Sequence, residues 1–163
     1  HYFERMHLDI AAAKIYTTRH GYALDSFQVL PRHGGDLGGH YRDVIARIEE
    51  DLTRQLKEAR PLPAPASGRL SRQVKHFPID PVVNITPEKH SNRYAVQVIA
   101  ADRPGLLSTV SREFLSWHLS LHDARITTLG NRAEDVFVVE GEKLAHADGV
   151  REVKDSLLAR LRT

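Results

Sequence analysis

The chain has 163 residues, carries a formal net charge of +2 at pH 7 and contains no cysteine. The missing cysteines exclude disulfides, thiolate zinc sites and cysteine nucleophiles, and no apolar run reaches the roughly 18 residues of a membrane span. Because the basic residues are dispersed and no signal peptide is visible, we expect a cytoplasmic protein without nucleic-acid or membrane partners.

The first elements predicted along the chain are two strands and a helix. Residues 8–18 and 24–30 read as strands on either side of a turn. The apolar positions of the first strand change parity between Ile10 and Ala13, which indicates a β-bulge. Residues 41–56 predict an amphipathic helix with one apolar face, formed by Ile45, Ile48, Leu52 and Leu56.

The middle of the chain decides where the modules divide. Residues 59–68 are rich in proline and alanine, and composition alone would place a boundary there. The preceding elements still lack one strand, however, and residues 74–86 are the available segment, with two prolines that suit a sheet edge. We therefore predict a first module at 1–88, with its last strand at about 74–86, and a second at 89–163.

The second module opens with a strand, a tight junction and a helix. Residues 94–100 alternate as a strand, and Asp102-Arg103-Pro104-Gly105 ends it. Asp102 is a candidate helix cap, and proline suits a first helical turn. The helix that follows is predicted from apolar residues at three- and four-residue steps, namely Leu107, Val110, Phe114 and Trp117.

A hairpin and a closing helix complete the second module. Residues 119–129 predict a strand whose apolar parity changes at His122-Asp123, which again indicates a bulge. Gly130 to Arg132 supplies a turn, and residues 135–139 pair back as a hairpin. Residues 150–161 predict the last helix.

The chain contains an internal repeat. Residues 7–17 recur as 118–128 at an offset of 111, the difference between positions 118 and 7. Asp25-x-Phe27-x-Val29 returns as Asp135-x-Phe137-x-Val139 at an offset of 110, between positions 135 and 25. The repeat indicates two copies of one module. The element order predicts an α+β fold of two ferredoxin-like βαββαβ modules, each incomplete.

The two copies are incomplete at different ends. The first lacks its opening strand, which is central in this fold, and the second lacks its last strand. Residues 1–6 read as the end of a helix, so we expect a fragment. Upstream sequence, or a strand from another chain, is expected to occupy the missing central position.

The junction at residues 102–107 is the best candidate for a ligand site. A helix start offers unpaired N–H groups and a partial positive charge, which suit the carboxylate of a free amino acid. Gly105 would permit close approach of the ligand, and Asp102 could hold its ammonium group. The bulge at His122-Asp123 could turn backbone groups toward the same pocket. The alternative is a capped helix after a tight turn.

Other chemical motifs in the sequence are weaker. His122-Asp123 lies on a strand without further metal ligands, so we predict no metal site. Asp25 and Asp135 are expected to be structural, bonding the turn or an adjacent arginine. The glycine-rich segment 33–40 lacks a phosphate-binding signature and reads as a connector. No catalytic arrangement is visible, so the fragment is not expected to be an enzyme by itself.

Residues 102–107 and 118–137 resemble an ACT domain. The stretch from Ala124 through Phe137 resembles, more narrowly, the last ACT domain of the bifunctional uridylyltransferase/uridylyl-removing enzymes that modify the PII protein. Residues 13–18 and 21–27 are similar to the penultimate ACT domain of the same family. The resemblance covers nearly the whole chain and identifies it as the C-terminal tandem ACT domains of such an enzyme.

The resemblance implies a regulatory role. In this family the ACT pair senses glutamine and shifts the parent between uridylylating PII and deuridylylating it, while the catalytic domains lie upstream. The parent is expected to need Mg²⁺, and the fragment no cofactor. The first copy departs from the family pattern because its own junction is missing. The ligand-binding residues implied for the second copy are Asp102, Arg103, Gly105, Leu106, Leu107, His122, Asp123 and Ala124.

A second interpretation is an ACT-like interaction or dimerisation module without a small-molecule ligand. Ser26 and Gln28 of the first copy correspond to Val136 and Val138 of the second. The strand of the second copy is therefore apolar on both faces, and one face is expected to meet another module, in the same chain or in a second copy.

Overall fold

The computed structural model describes residues 2–6, 8–18, 20, 22–31, 41–58 and 78–162. Within them the elements are α1 (Tyr2–Arg5), β1 (Leu8–Thr17), β2 (Ala23–Pro31), α2 (Tyr41–Glu58), β3 (Val82–Pro87), β4 (Arg93–Ala101), α3 (Leu106–Ser116), β5 (Ser120–Leu129), β6 (Arg132–Glu140), a 3₁₀ helix (Glu142–Ala145) and α4 (Ala147–Leu161). The predicted connector at 33–40 and the proline-rich stretch at 59–68 lie outside the described residues.

The strands form one six-stranded antiparallel sheet in the order β2-β1-β5-β6-β4-β3. With three helices of more than ten residues among the described residues, this arrangement confirms the predicted α+β class and is compatible with ferredoxin-like ACT modules. The first copy of the repeat contributes β1 and β2, and the second contributes β4, β5 and β6.

Helices α3 and α4 pack on one face of the sheet in the second copy. Alternate residues of β4 and β6 point to that face, as expected for strands covered on one side. Phe114 of α3 meets Phe137 of β6 edge-on, with ring centroids 5.2 Å apart. Val153 and Leu157 of α4 are fully buried in the same cluster. Burial of side chains of this size stabilises a fold by about 2 kcal/mol each.

Strand β3 lies at the sheet edge, as predicted for this segment, although it begins after the two prolines Pro78 and Pro81. Its hydrogen-bonded partner is β4, with Val82 opposite Ile99 and Pro87 opposite Tyr94. The prediction of a strand over 74–86 is confirmed only from Val82 onward, because residues 78–81 are not in a strand and residues 74–77 lie outside the described residues. The division of the chain at residues 88 and 89 stays a prediction.

Both predicted bulges are confirmed. The register between β1 and β2 shifts between Ile10 and Ala12, and the register between β5 and β6 shifts between Leu121 and Asp123. The inserted residues are Ala11 and His122, which occupy equivalent positions in the repeat. The bulge is therefore part of the shared geometry of the two copies.

The two copies of the repeat pair edge to edge through β1 and β5. Lys14 lies opposite Arg125, its own counterpart in the repeat. On either side of this pair, Ala13 lies opposite Ile126 and Ile15 opposite Ala124, which are exchanged counterparts. The pairing therefore has an approximate two-fold axis through the pair of Lys14 and Arg125.

The first copy is less covered than the second. Strand β6 is flanked by β4, whereas its counterpart β2 forms the other edge of the sheet. Helix α2 has no buried residue in its described turns, and Ile45 and Leu56 on its apolar face are 51% and 80% exposed. The hydrophobic core is accordingly concentrated in the second copy.

Candidate functional site

The candidate site lies where β4 turns into α3. The backbone N–H of Asp102 donates to the carbonyl of Asn131 at 2.8 Å, which ties the end of β4 to the β5–β6 hairpin. Gly105 then adopts a left-handed conformation with φ 86°. A side chain at this φ would be strained, so the glycine fixes where the turn ends and α3 begins.

The prediction that Asp102 caps α3 is wrong. The helix begins at Leu106, its N-cap is Gly105, and no side chain makes a capping hydrogen bond. Pro104 likewise lies before the helix and not in its first turn, because the left-handed Gly105 separates it from Leu106. At the start of α3 the backbone N–H of Leu106 donates to the carbonyl of Arg103 at 3.2 Å, and the first turn carries the positive end of the helix dipole.

The side chain of Arg103 bonds to α4. Its Nη2 donates to the carbonyl of Arg160 at 3.1 Å, near the end of α4. Cations at a helix C-terminus are favourable because the last carbonyls carry partial negative charge. Arg103 thus connects the junction to α4.

Leu106 and Leu107 contribute mainly hydrophobic surface. Leu106 is buried in the core, and Leu107 is half-buried against it. Thr109 donates its N–H and its hydroxyl to the carbonyl of Gly105, at 2.8 and 2.9 Å, and so closes the first turn of α3. Because both leucine side chains are apolar, the backbone supplies the polar groups at these two positions.

The structure does not bring the predicted bulge residues of the second copy to this junction. The junction adjoins the hairpin end of β5, whereas Asp123 lies six residues before Leu129, a distance of about 20 Å along a strand. Ala124 is a core residue opposite Ile15 of β1. His122 Nε2 lies 3.0 Å from Glu140 Oε2, although the contact lacks hydrogen-bond geometry.

The bulge of the first copy lies nearer to the junction. Pairing between β1 and β5 runs from Ala12 opposite Thr127 to Tyr16 opposite Asp123. Because the strands are antiparallel, the bulged end of β1 is directed toward the hairpin end of β5. The position near the junction of the second copy, which was predicted for the bulge of β5, is thus taken by the bulge of β1.

A buried carboxyl group lies on the helix-covered face close to this region. Asp135 of β6 is fully buried beside Val98 of β4. Its Oδ1 accepts a hydrogen bond from the backbone N–H of Thr127 at 3.1 Å, and its Oδ2 has no hydrogen-bond partner among the described residues. The backbone pairing of β5 with β6 is interrupted at Ile126 and Thr127. There the Asp135 side chain accepts the N–H of Thr127 in place of a backbone carbonyl.

Burial raises the pKa of Asp135 from an ordinary value of 3.8 to about 6. The hydrogen bond from Thr127 opposes this rise, and the negative charge of Asp102 adds to it. The carboxyl groups of Asp135 and Asp102 therefore interact electrostatically at the junction.

Sequence reasoning assigned Asp135 a structural role, and its hydrogen bond goes to a strand backbone instead of the expected turn or arginine. One signal did point to its burial. Asp135 shares the inward parity of Ala133, Phe137 and Val139, all of which are buried. A carboxyl group in such a series requires a specific partner.

No group of three or more histidine, aspartate or glutamate side chains suited to a metal ion occurs in the part of the chain that the structure describes. Among the described helices, none is both long enough and apolar enough to cross a membrane.

Comparison with known proteins gives a consistent result. A segment of the bifunctional uridylyltransferase/uridylyl-removing enzyme of Cupriavidus pinatubonensis is 46% identical over 161 residues, or 98% of this chain. The enzymes of that name from Aromatoleum aromaticum and Chromobacterium violaceum are 46% identical over 98% and 43% identical over 99% of the chain. The chain is homologous to a segment of this enzyme family.

The match covers nearly all of this chain but only a small part of each uridylyltransferase/uridylyl-removing enzyme. The chain spans 18% of the length of the first two relatives and 19% of the third. No family model and no solved structure matches the chain. The resemblance read from residues 102–107 and 118–137 is thus confirmed at the level of this enzyme family.

Proposed function

We propose that this chain is a regulatory, glutamine-sensing part of an enzyme that uridylylates and deuridylylates the PII protein, and that it controls the balance of the two activities. The start of α3 is the observation that carries the proposal. There, a left-handed Gly105 ends the β4 turn, and no side chain caps the helix. Homology to the uridylyltransferase/uridylyl-removing enzymes supplies the context.

The proposed site fits the two charged groups of an amino acid. The backbone N–H groups at the start of α3 would bind the α-carboxylate, as helix starts bind anions. Asp102 contributes negative charge for the α-ammonium group. Arg103 holds the junction against α4 through its bond to Arg160, and the bulge of β1 lies toward the same end of β5.

His122, Asp123 and Ala124 belong in this proposal to the symmetric position. The β1 bulge of the first copy lies toward the junction of the second copy. By the approximate two-fold symmetry, the bulge at His122 corresponds to the equivalent position near the first copy. We assign them to a second ligand site, completed by the opening junction of the first module. We assign no reaction and no cofactor to the chain itself. We assign Mg²⁺ to the catalytic part of the parent enzyme, and we place the protein in the cytoplasm.

Titration calorimetry with glutamine tests the proposal. We expect heat of binding with the wild-type chain and its loss in Asp102→Ala. Asp148→Ala is a matched control, because Asp148 is an exposed aspartate in the first turn of α4. It should bind as the wild type does. The absence of binding at millimolar glutamine would overturn the proposal.

An interaction module without a ligand is the second candidate. The observations that favour it are the edge position of β2 and Val136, which is 37% exposed on the open face of the sheet. This function predicts a concentration-dependent change in mass by light scattering and no effect of glutamine on it. A glutamine-dependent shift would favour sensing.

A further inference from the structure

We propose that Asp135 is the buried acceptor for the α-ammonium group of the amino acid that binds at the start of α3. The inference rests on the proposed function and identifies a ligand-binding side chain outside the junction itself. It also restricts the ligand to zwitterionic amino acids, as opposed to simple carboxylates.

The bonding of the Asp135 carboxyl group is half complete. Oδ1 accepts from Thr127, while Oδ2 is buried with no hydrogen-bond partner among the described residues. A buried polar atom without a partner is costly, so each such atom in a native protein calls for a specific explanation, such as a functional role or a bound water or ion. A cationic donor completes a buried carboxylate most favourably, because the ion pair forms at low dielectric.

The position of Asp135 relates it to the start of α3. Its side chain lies on the sheet face that α3 covers, between Val98 of β4 and the backbone of Thr127. Leu106 and Val110, from the first turns of α3, belong to the hydrophobic cluster on that face. The charge of Asp102 acts on Asp135, which relates this carboxyl group to the junction as well.

A zwitterion satisfies both ends of this arrangement. The start of α3 favours an anion, and Asp135 favours a cation. In an α-amino acid one carbon atom separates the carboxylate from the ammonium group, and in this proposal the start of α3 binds the first group while Asp135 Oδ2 binds the second. A carboxylate without the ammonium group would leave Oδ2 unpaired.

Ligand entry then requires local movement. Asp135 is fully buried in this structure, so a ligand reaches Oδ2 only when the elements above that face separate. Arg103 is bonded to Arg160, whose Nε donates to Glu113 of α3 at 3.0 Å. Movement at the junction is thereby transmitted to the contact between α3 and α4.

Calorimetry with two ligands and two variants tests the inference. The ligands are glutamine and its deaminated analogue, 5-amino-5-oxopentanoic acid, which lacks only the α-ammonium group. The variants are Asp135→Asn and the matched control Asp25→Asn, which alters the exposed repeat counterpart. We expect wild type and Asp25→Asn to prefer glutamine by about 30-fold or more, and Asp135→Asn to lose both affinity and preference.

The outcomes separate the two proposals. If the wild type does not bind glutamine, the proposed function fails. If Asp135→Asn keeps the wild-type preference for glutamine, only the role of Asp135 is overturned. Far-ultraviolet circular dichroism establishes that each variant is folded.

A measurement on the wild type alone covers the case of an unfolded variant. Binding of an ammonium group should displace a proton from Asp135, because the ion pair requires the carboxylate. Calorimetry at pH 6 in two buffers of different ionisation enthalpy should reveal proton release with glutamine. The absence of proton release would overturn the assignment.

Discussion

Lys14 lies directly opposite Arg125, and the two residues are counterparts in the repeat. Directly paired residues of antiparallel strands point to the same face, so two positive charges face each other at the approximate two-fold axis. The pairing of two similar strands produces this contact, because a symmetric axis brings each residue on it opposite its own equivalent.

Reversal of one charge at the axis should stabilise the pairing of β1 with β5. Lys14→Glu and Arg125→Glu are each expected to raise the free energy of unfolding by about 0.5 kcal/mol relative to the corresponding glutamine variants. The double variant should lose the gain, since two like charges face each other again. Urea unfolding at low salt measures the coupling, and added salt should weaken it. A coupling of zero would show that the side chains do not interact.

The sequence contained the local geometry of the sheet. The parity changes near Ala11 and His122 located both bulges, because a residue inserted into a strand reverses which positions face the core. The same pattern does not specify which strand lies alongside. The contact of β1 with β5, and of β3 with β4, depends on which edges are exposed after the modules fold, and parity carries no such information.

The candidate site was predictable only in part. The sequence predicts the junction at Asp102 to Gly105 but the wrong cap, since spacing does not reveal that Gly105 is left-handed. His122 and Asp123 were placed with the junction because the repeat gives no direction for the strand relative to it. The sequence analysis predicted a structural role for Asp135 but not its burial, although the parity of β6 carried that signal, and its unpaired Oδ2 required the structure.

The contact between α3 and α4 depends on one buried carboxylate. Glu113 is 7% exposed, and it accepts from Ser156 Oγ at 2.6 Å and from Arg160 Nε at 3.0 Å. Glu113→Ala should destabilise the fold by about 2 kcal/mol, because it leaves both donors without this acceptor. Ser156→Ala should cost about 1 kcal/mol.

Chemical denaturation measures both effects, and an exposed ion pair provides the control. Arg151 donates to Asp148 at 2.7 Å, with side chains 71% and 78% exposed. Asp148→Ala should therefore change stability by less than about 0.5 kcal/mol. Equal effects at positions 113 and 148 would contradict a special contribution from Glu113.

The raised pKa of Asp135 predicts a pH dependence of stability. Between an unfolded pKa of 3.8 and a folded pKa of about 6, the folded state binds more protons than the unfolded state. The contribution of Asp135 to stability is therefore largest below pH 4 and falls as pH rises through 6. The full loss is about 3 kcal/mol above that range.

Comparison with a variant isolates this contribution from the other carboxyl groups. Urea unfolding of wild type and Asp135→Asn should be measured from pH 4 to 8. The free energy of unfolding of Asp135→Asn, relative to that of the wild type, should increase as pH rises, because asparagine does not ionise. A constant difference across this range would show that Asp135 does not titrate as described.

Gly149 allows close packing between α4 and the preceding 3₁₀ helix. A Cβ at this position would overlap the carbonyl oxygen of Lys143, and the same 3₁₀ helix carries the fully buried Leu144. Gly149→Ala should therefore displace that helix and destabilise the fold by about 2 kcal/mol. Gly130→Ala is the control, since φ there is +64° and nothing lies within 4 Å of the added carbon. That substitution carries only the cost of a left-handed backbone, about 1 kcal/mol.

A spectroscopic signal reports the displacement independently. Lys143 Nζ lies 5.4 Å from the centroid of the Trp117 ring, and Trp117 is the only tryptophan of the chain. Gly149→Ala should shift the tryptophan fluorescence of the folded protein, because movement of Lys143 changes the charge near the ring. Gly130→Ala should leave the spectrum unchanged. If Gly149→Ala were no more destabilising than Gly130→Ala and left the emission unchanged, the overlap with Lys143 would not restrict this position.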